Sequence, residues 1–231
     1  MNMKPHLLLL HGALGSKSQF DALIPLLSPQ YHTHSFDFSG HGADCFDHEL
    51  SMDLFSEDIL RYLDKNQISE CALFGYSMGG YAALNFAGKH AERVTRIMTL
   101  GTKWAWSPDT AAREAAMLDP EIMMAKVPAF AEMLDKRHSG QGWQKLVYCT
   151  RELMHRLGES GGYDPGFLNS IQIPVLICVG SLDKMVSIEE SEFVSKQLPN
   201  GNFRILDSTP HPLEKVDMHI LAEETKAFLG A

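Results

Sequence analysis

The stretch Leu73-Phe74-Gly75-Tyr76-Ser77-Met78-Gly79-Gly80 constrains the fold more tightly than any other part of the chain. Cys71 to Phe74 is an apolar run that reads as the end of a strand. A tight turn follows, and a helix opens at Met78. Glycine at 75 and 79 removes the Cβ atoms that would collide where strand and helix approach closely. A turn of this kind lifts the Ser77 hydroxyl above the strand end on a strained backbone. Gly-x-Ser-x-Gly recurs by chance in unrelated chains, and its place between strand and helix is what makes it specific here.

The flanking sequence keeps the same alternation. His6 to Leu10 reads as a short apolar strand, and Ser18 to Leu27 has apolar residues at 20, 23, 24 and 27, the spacing of a helix. His32 to Phe38 reads as a second strand, running into the glycine-rich turn Asp37 to Gly42. A helix from Met52 to Lys65 precedes the elbow strand. The elbow helix extends to about His90, and Val94 to Leu100 is another buried strand. Such alternation predicts an α/β fold, a parallel sheet with helices on both faces.

From Thr102 to Asp164 the strands stop. Helices are expected over Asp109 to Leu118, Pro120 to Ala125, Pro128 to Arg137 and Trp143 to Leu157, with Pro120 and Pro128 at helix starts. The sheet pattern resumes with a strand Val175 to Val179, a helix Glu189 to Leu198, a strand Asn202 to Leu206 and a last helix Leu213 to Leu229. The expected division is a core of residues 1–101 and 165–231, with residues 102–164 inserted after the fourth strand as a helical lid.

The 231 residues suffice for one full core. A net charge of −9 disfavours a nucleic acid or an anionic membrane as partner. No apolar run approaches the ~18 residues of a membrane span. The run Leu7 to Leu10 is too short for a signal peptide, so a cytoplasmic protein is expected. Cys45, Cys71, Cys149 and Cys178 have no paired spacing and read as free structural thiols. His32, His34, Asp37, His41, Asp44, Cys45, Asp47 and His48 include no compact pair with a known zinc spacing, so no metal is expected.

A serine hydroxyl needs a base within hydrogen-bond reach, and the base needs an orienting acid. Asp183 follows the strand ending in Val179-Gly180, and His211 follows the last strand in Ser208-Thr209-Pro210-His211. Ser77, Asp183 and His211 thus come from C-terminal strand ends, where parallel sheets build their sites. The rival reading of Asp183 is a plain helix cap. Asp207 is too close to His211 along the chain to be the acid. A charged tetrahedral intermediate would need two backbone N–H donors. Met78 opens the elbow helix and supplies one. The turn at His11-Gly12 aims the other, Ala13 or its neighbour Leu14. His11, Asp37 and His41 read as braces of their loops. Tyr76, Trp104 and Trp106 are candidate pocket walls. Met117, Met123, Met124, Met133 and Met154 either pack small helices or line an apolar acyl pocket.

These motifs, His11-Gly12, Asp37 to Gly42, Gly75 to Gly79, Asp183 and His211, are spread over almost the whole chain, and together they resemble an α/β-hydrolase with a helical cap. The resemblance implies a Ser77–His211–Asp183 triad and an oxyanion hole at Ala13 and Met78. Two departures are visible. Pro210 replaces the usual glycine before the histidine, which stiffens that loop. The family's leading hairpin is missing from the pattern, so about six parallel strands are expected rather than eight.

The function expected on this basis is hydrolysis of a small carboxylic ester or thioester through an acyl-serine intermediate, with no cofactor. The loop and elbow also resemble capped lyases of menaquinone synthesis, which place an arginine just after the elbow glycines. Tyr81 stands there, so the lyase ranks lower. Carbon–carbon bond hydrolysis uses the same triad and stays open. So does a ligand receptor or binding module retaining the hydrolase fold.

Overall fold

The computed structural model describes residues 4–45, 48–140 and 142–230. Six strands, β1 (His6–Leu10), β2 (His32–Ser35), β3 (Cys71–Tyr76), β4 (Val94–Leu100), β5 (Val175–Gly180) and β6 (Gly201–Leu206), form one sheet in the order β2-β1-β3-β4-β5-β6. Every pairing is parallel. The strand period of two divides the side chains between two cores. Leu8, Leu10, Leu73, Ile97 and Ile177 enter one, with Phe55 and Ile59 of α2 (Met52–Lys65) and Leu84 of α3 (Met78–Lys89). Leu7, Leu9, Phe74, Met98 and Leu176 enter the other, with Leu27 of a single-turn helix α1 (Ile24–Leu27). Both faces of the central strands are therefore dry, which is why the strands read as continuous apolar runs.

Between β4 and β5 the chain is helical: α4 (Pro108–Ala115), α5 (Pro120–Lys126), α6 (Pro128–Arg137), α7 (Trp143–Ser160) and α8 (Pro165–Ser170). Then α9 (Ile188–Gln197) and α10 (Met218–Leu229) complete the molecule, α10 on the face of α1. Among the described residues no helix is long and apolar enough to cross a membrane.

Four elements differ from the sequence reading. The helix expected over Ser18 to Leu27 is broken into a 3-10 turn (Lys17–Phe20) and α1. Pro25 has no N–H to donate, so it fits only in a first turn. Strand β2 stops at Ser35, because the Phe38 N–H is taken by His11 Nε2 at 3.1 Å rather than by a neighbouring strand. The last helix starts at Met218, capped by Asp217, while Leu213–Lys215 is a separate 3-10 turn. Helix α8 was not foreseen, although Asp164 caps it and Pro165 sits in its first turn.

Candidate active site

The elbow has the expected geometry. Ser77 stands between the end of β3 and the start of α3 with φ 52° and ψ −119°, the left-handed φ that an L side chain avoids. Four hydrogen bonds hold it there: Ser77 N–H to the Leu100 carbonyl at 2.9 Å, and to the Ser77 carbonyl Thr102 Oγ1 at 2.9 Å, Gly80 N–H at 3.0 Å and Tyr81 N–H at 3.4 Å. A Cβ at Gly79 would overlap the Leu10 carbonyl, and one at Gly75 would overlap Gly80.

Asp183 and His211 are brought together across the sheet top. His211 Nδ1 lies 2.8 Å from Asp183 Oδ2. The other carboxylate oxygen, Oδ1, accepts the N–H groups of Met185 and Val186 at 2.8 and 2.9 Å. Burial opposes ionisation of Asp183. The hydrogen bond and charge of His211 and those two N–H groups outweigh it and hold the carboxyl below its ordinary range. Tyr76 Oη donates to the His211 carbonyl at 3.0 Å, which pins the loop that carries the imidazole.

Beside the elbow, the loop after β1 is built on a buried histidine. His11 Nε2 accepts from Phe38 N–H, so the ring proton sits on Nδ1 and is donated to the Gly12 carbonyl at 2.8 Å. Burial keeps that ring neutral, its pKa lowered to about 3. Gly15 N–H donates to the same carbonyl at 3.0 Å. A trans peptide points its N–H opposite its C=O, so this pull on the Gly12 carbonyl fixes the direction of the Ala13 N–H.

Among the described residues, Ser77 and His211 together line two cavities. One is narrow, about 60 Å³, and mostly apolar, with Ala13, Met78, Trp106 and Met154 around it and Lys103 and Glu114 as charged wall residues. The other, about 300 Å³, adds Tyr76, Gln19, Arg137 and Glu214. Trp104 lies instead on a third cavity, away from Ser77. Among the methionines between β4 and β5, Met154 reaches the cavities, Met123 is buried in the core, and Met117 and Met124 are exposed. Among the described residues no cluster of three or more His, Cys, Asp or Glu is arranged to hold a metal ion; Asp47 lies outside them.

Sequence reasoning missed three residues. Gly101, at φ 61°, lies against the acid–base pair, and a Cβ there would be 3.2 Å from Asp183 Oδ2 and 3.3 Å from His211 Nδ1. His138 follows α6 and ties two loops of the site together. It accepts Gly42 N–H on Nδ1 at 2.9 Å and donates from Nε2 to the Leu14 carbonyl at 2.9 Å. Glu190 accepts Trp104 N–H at 2.9 Å while closing the capping box of α9 with Ser187. The only sequence signal among them was the Ser-x-x-Glu spacing of that box.

Known proteins carry the same plan. The 3-oxoadipate enol-lactonase 1 of Acinetobacter baylyi is 24% identical over 200 residues, 80% of this chain and 74% of the relative. The pimeloyl-[acyl-carrier protein] methyl ester esterase of Vibrio vulnificus is 25% identical over 250 residues, 98% of this chain and 94% of the relative. The solved structure of 2-hydroxy-6-oxo-6-phenylhexa-2,4-dienoate hydrolase from Rhodococcus sp. strain RHA1 superposes with a TM-score of 0.81 at 21% identity, covering 99% of this chain and 91% of that one. A family model described as alpha/beta hydrolase fold matches residues 5–166, well over half of the sequence. The chain belongs to the α/β hydrolase fold family and is an enzyme of that hydrolytic kind.

Proposed function

We propose that the enzyme hydrolyses a small carboxylic ester or thioester through an acyl-Ser77 intermediate. The observation that carries this reading is that His211, paired with Asp183 at 2.8 Å, lines the same two cavities as the strained elbow serine. Ser77 Oγ attacks the substrate carbonyl carbon while His211 Nε2 takes its proton. Asp183 holds the Nδ1–H tautomer and stabilises the imidazolium. Negative charge develops on the carbonyl oxygen, facing the N–H groups of Ala13 and Met78. The N-terminal end of α3 adds its dipole. Collapse expels the alcohol or thiol, which receives the proton from His211. A water then gives its proton to His211, attacks the acyl carbon, and releases the acid with Ser77 restored. No hydrogen bond joins Ser77 Oγ to His211 in this structure, and in sites of this type that contact commonly tightens as substrate binds.

In this reading residues 102–164 form the lid over a core of residues 1–101 and 165–231. The narrow apolar cavity takes the acyl group. The wider cavity, with Arg137 and Glu214 in its wall, takes the leaving group. The esterase and lactonase names of the relatives favour an ester over a carbon–carbon bond. Tyr81 argues against the lyase alternative: it is buried and stacked 4.1 Å from Tyr163, where the lyases need an arginine. The free thiols of Cys45, Cys71, Cys149 and Cys178 fit a reducing compartment such as the cytoplasm.

The test combines a fluorophosphonate probe with p-nitrophenyl esters and acyl-CoA thioesters of graded length. Labelling at Ser77 with ester turnover, both lost in Ser77→Ala, is the expected result. Labelling without turnover of any ester would point to a receptor. Absence of labelling, with Ser77→Ala behaving as wild type, would remove the catalytic proposal.

A further inference from the structure

Behind the wall of the narrow cavity lies the third one, about 590 Å³ against about 60 Å³. Trp104, Tyr163, Leu168, Phe193 and Val194 line it together with Ser187, Glu189 and Glu190, and Phe193 is 59% exposed, so the space opens to solvent. Among the described residues Trp106 alone lines both. Its indole is held by one hydrogen bond, Nε1–H to the Lys103 carbonyl at 3.2 Å. The ring edge rests near Gly162, where φ is 78° and a Cβ would sit 3.6 Å from Trp106 Cδ1. Next to it, Tyr81 lines the narrow cavity and Tyr163 the large one, and their rings stack at 4.1 Å. Between the two spaces stand the Trp106 indole, the stacked Tyr81–Tyr163 rings and an ion pair, Lys103 of the narrow cavity lying 3.5 Å from Glu190 of the large one.

We propose that Trp106 sets the length of acyl chain the enzyme accepts, and that the cavity behind it is the distal half of a channel for a linear apolar chain. This rests on the acyl-serine reading above. A short acyl group ends against the indole. A longer one has apolar surface waiting beyond it, Phe193 included, but reaches it only when the indole is removed or swung aside. Each methylene that enters would add its transfer free energy to binding.

The experiment compares kcat/KM for p-nitrophenyl butyrate through laurate in wild type, Trp106→Ala and Trp106→Leu, the second in case the first fails to fold. Opening the partition should raise the laurate-to-butyrate ratio on the order of tenfold, since two buried methylenes suffice for that. Phe193→Arg added to Trp106→Ala should reverse the gain. A variant that still labels with fluorophosphonate and keeps the wild-type chain-length profile would overturn the proposal. Calorimetry of 1-decanol with Ser77→Ala, with and without Trp106→Ala, reads the same channel without turnover. Tighter binding in the double variant supports the partition, and equal binding refutes it. Failure of the acyl-serine reading would appear separately, as a wild type inert to every ester and to the probe.

Discussion

Ser77 and Gly101 stand at the ends of neighbouring strands beside the proposed reacting groups, both at positive φ, Ser77 keeping its side chain and Gly101 lacking one. Ser77→Ala should lower kcat for a p-nitrophenyl ester by about 10⁴-fold or more while leaving the fold unchanged by circular dichroism. Asp183→Asn should cost about 10²–10⁴-fold in kcat, because an amide can present its NH₂ to His211 and stabilise the wrong tautomer. Gly101→Ala is the sharper probe. The new methyl would press on both members of the 2.8 Å pair and the backbone would be left at φ 61°. Stability should fall by about 1 kcal/mol, measured by urea denaturation, and kcat should fall more than that change alone explains. A Gly101→Ala enzyme with wild-type kcat would show that the pair tolerates displacement.

At the scale of elements, the elbow works because β1, β3 and α3 approach more closely than side chains allow. Gly79→Ala should destabilise by more than about 3 kcal/mol, since its Cβ would strike the Leu10 carbonyl of the neighbouring strand rather than a movable side chain. The midpoint of chemical denaturation measures this, and a small shift would mean that α3 can tilt. That crossing was legible in the sequence, because glycine spacing and apolar runs are local signals. Asp183 and His211 were legible for the same reason, each lying just past a strand. Trp104 was not: it lies four residues past the end of β4, yet its N–H is drawn to Glu190, 86 residues on, and the ring lines the far side of the partition. The broken helix at 17–27 carried its own warning in Pro25, whereas the shortening of β2 depends on His11 taking a backbone donor across 27 residues. Local chemistry marks where elements begin. Contacts far apart along the chain decide where they stop.

At the scale of the whole molecule, the helices after β4 and the loops of the sheet meet at three buried histidines. The His41 ring lies 4.8 Å from that of His11 and 5.8 Å from that of His138, and all three are almost inaccessible to solvent. Burial lowers each pKa, that of His11 to about 3. The folded state therefore binds fewer protons than the unfolded chain between the ordinary histidine value of 6.5 and the lowered ones. Stability must fall as pH falls through that window, by up to about 1.4 kcal/mol per pH unit for each ring. Asp183 acts lower on the scale: its depressed pKa contributes stability above the ordinary value of 3.8 that is lost only on further acidification. A decline between pH 6.5 and 4.5 is thus a histidine signature. His138→Gln tests it, because a glutamine can accept from Gly42 N–H and donate to the Leu14 carbonyl without titrating. The thermal midpoint of wild type should drop steeply over that interval, and that of His138→Gln less steeply, with the two curves converging in shape near neutrality. Equal acid slopes in the two proteins would mean that His138 takes up no proton on unfolding, and that the acid sensitivity does not come from its ring.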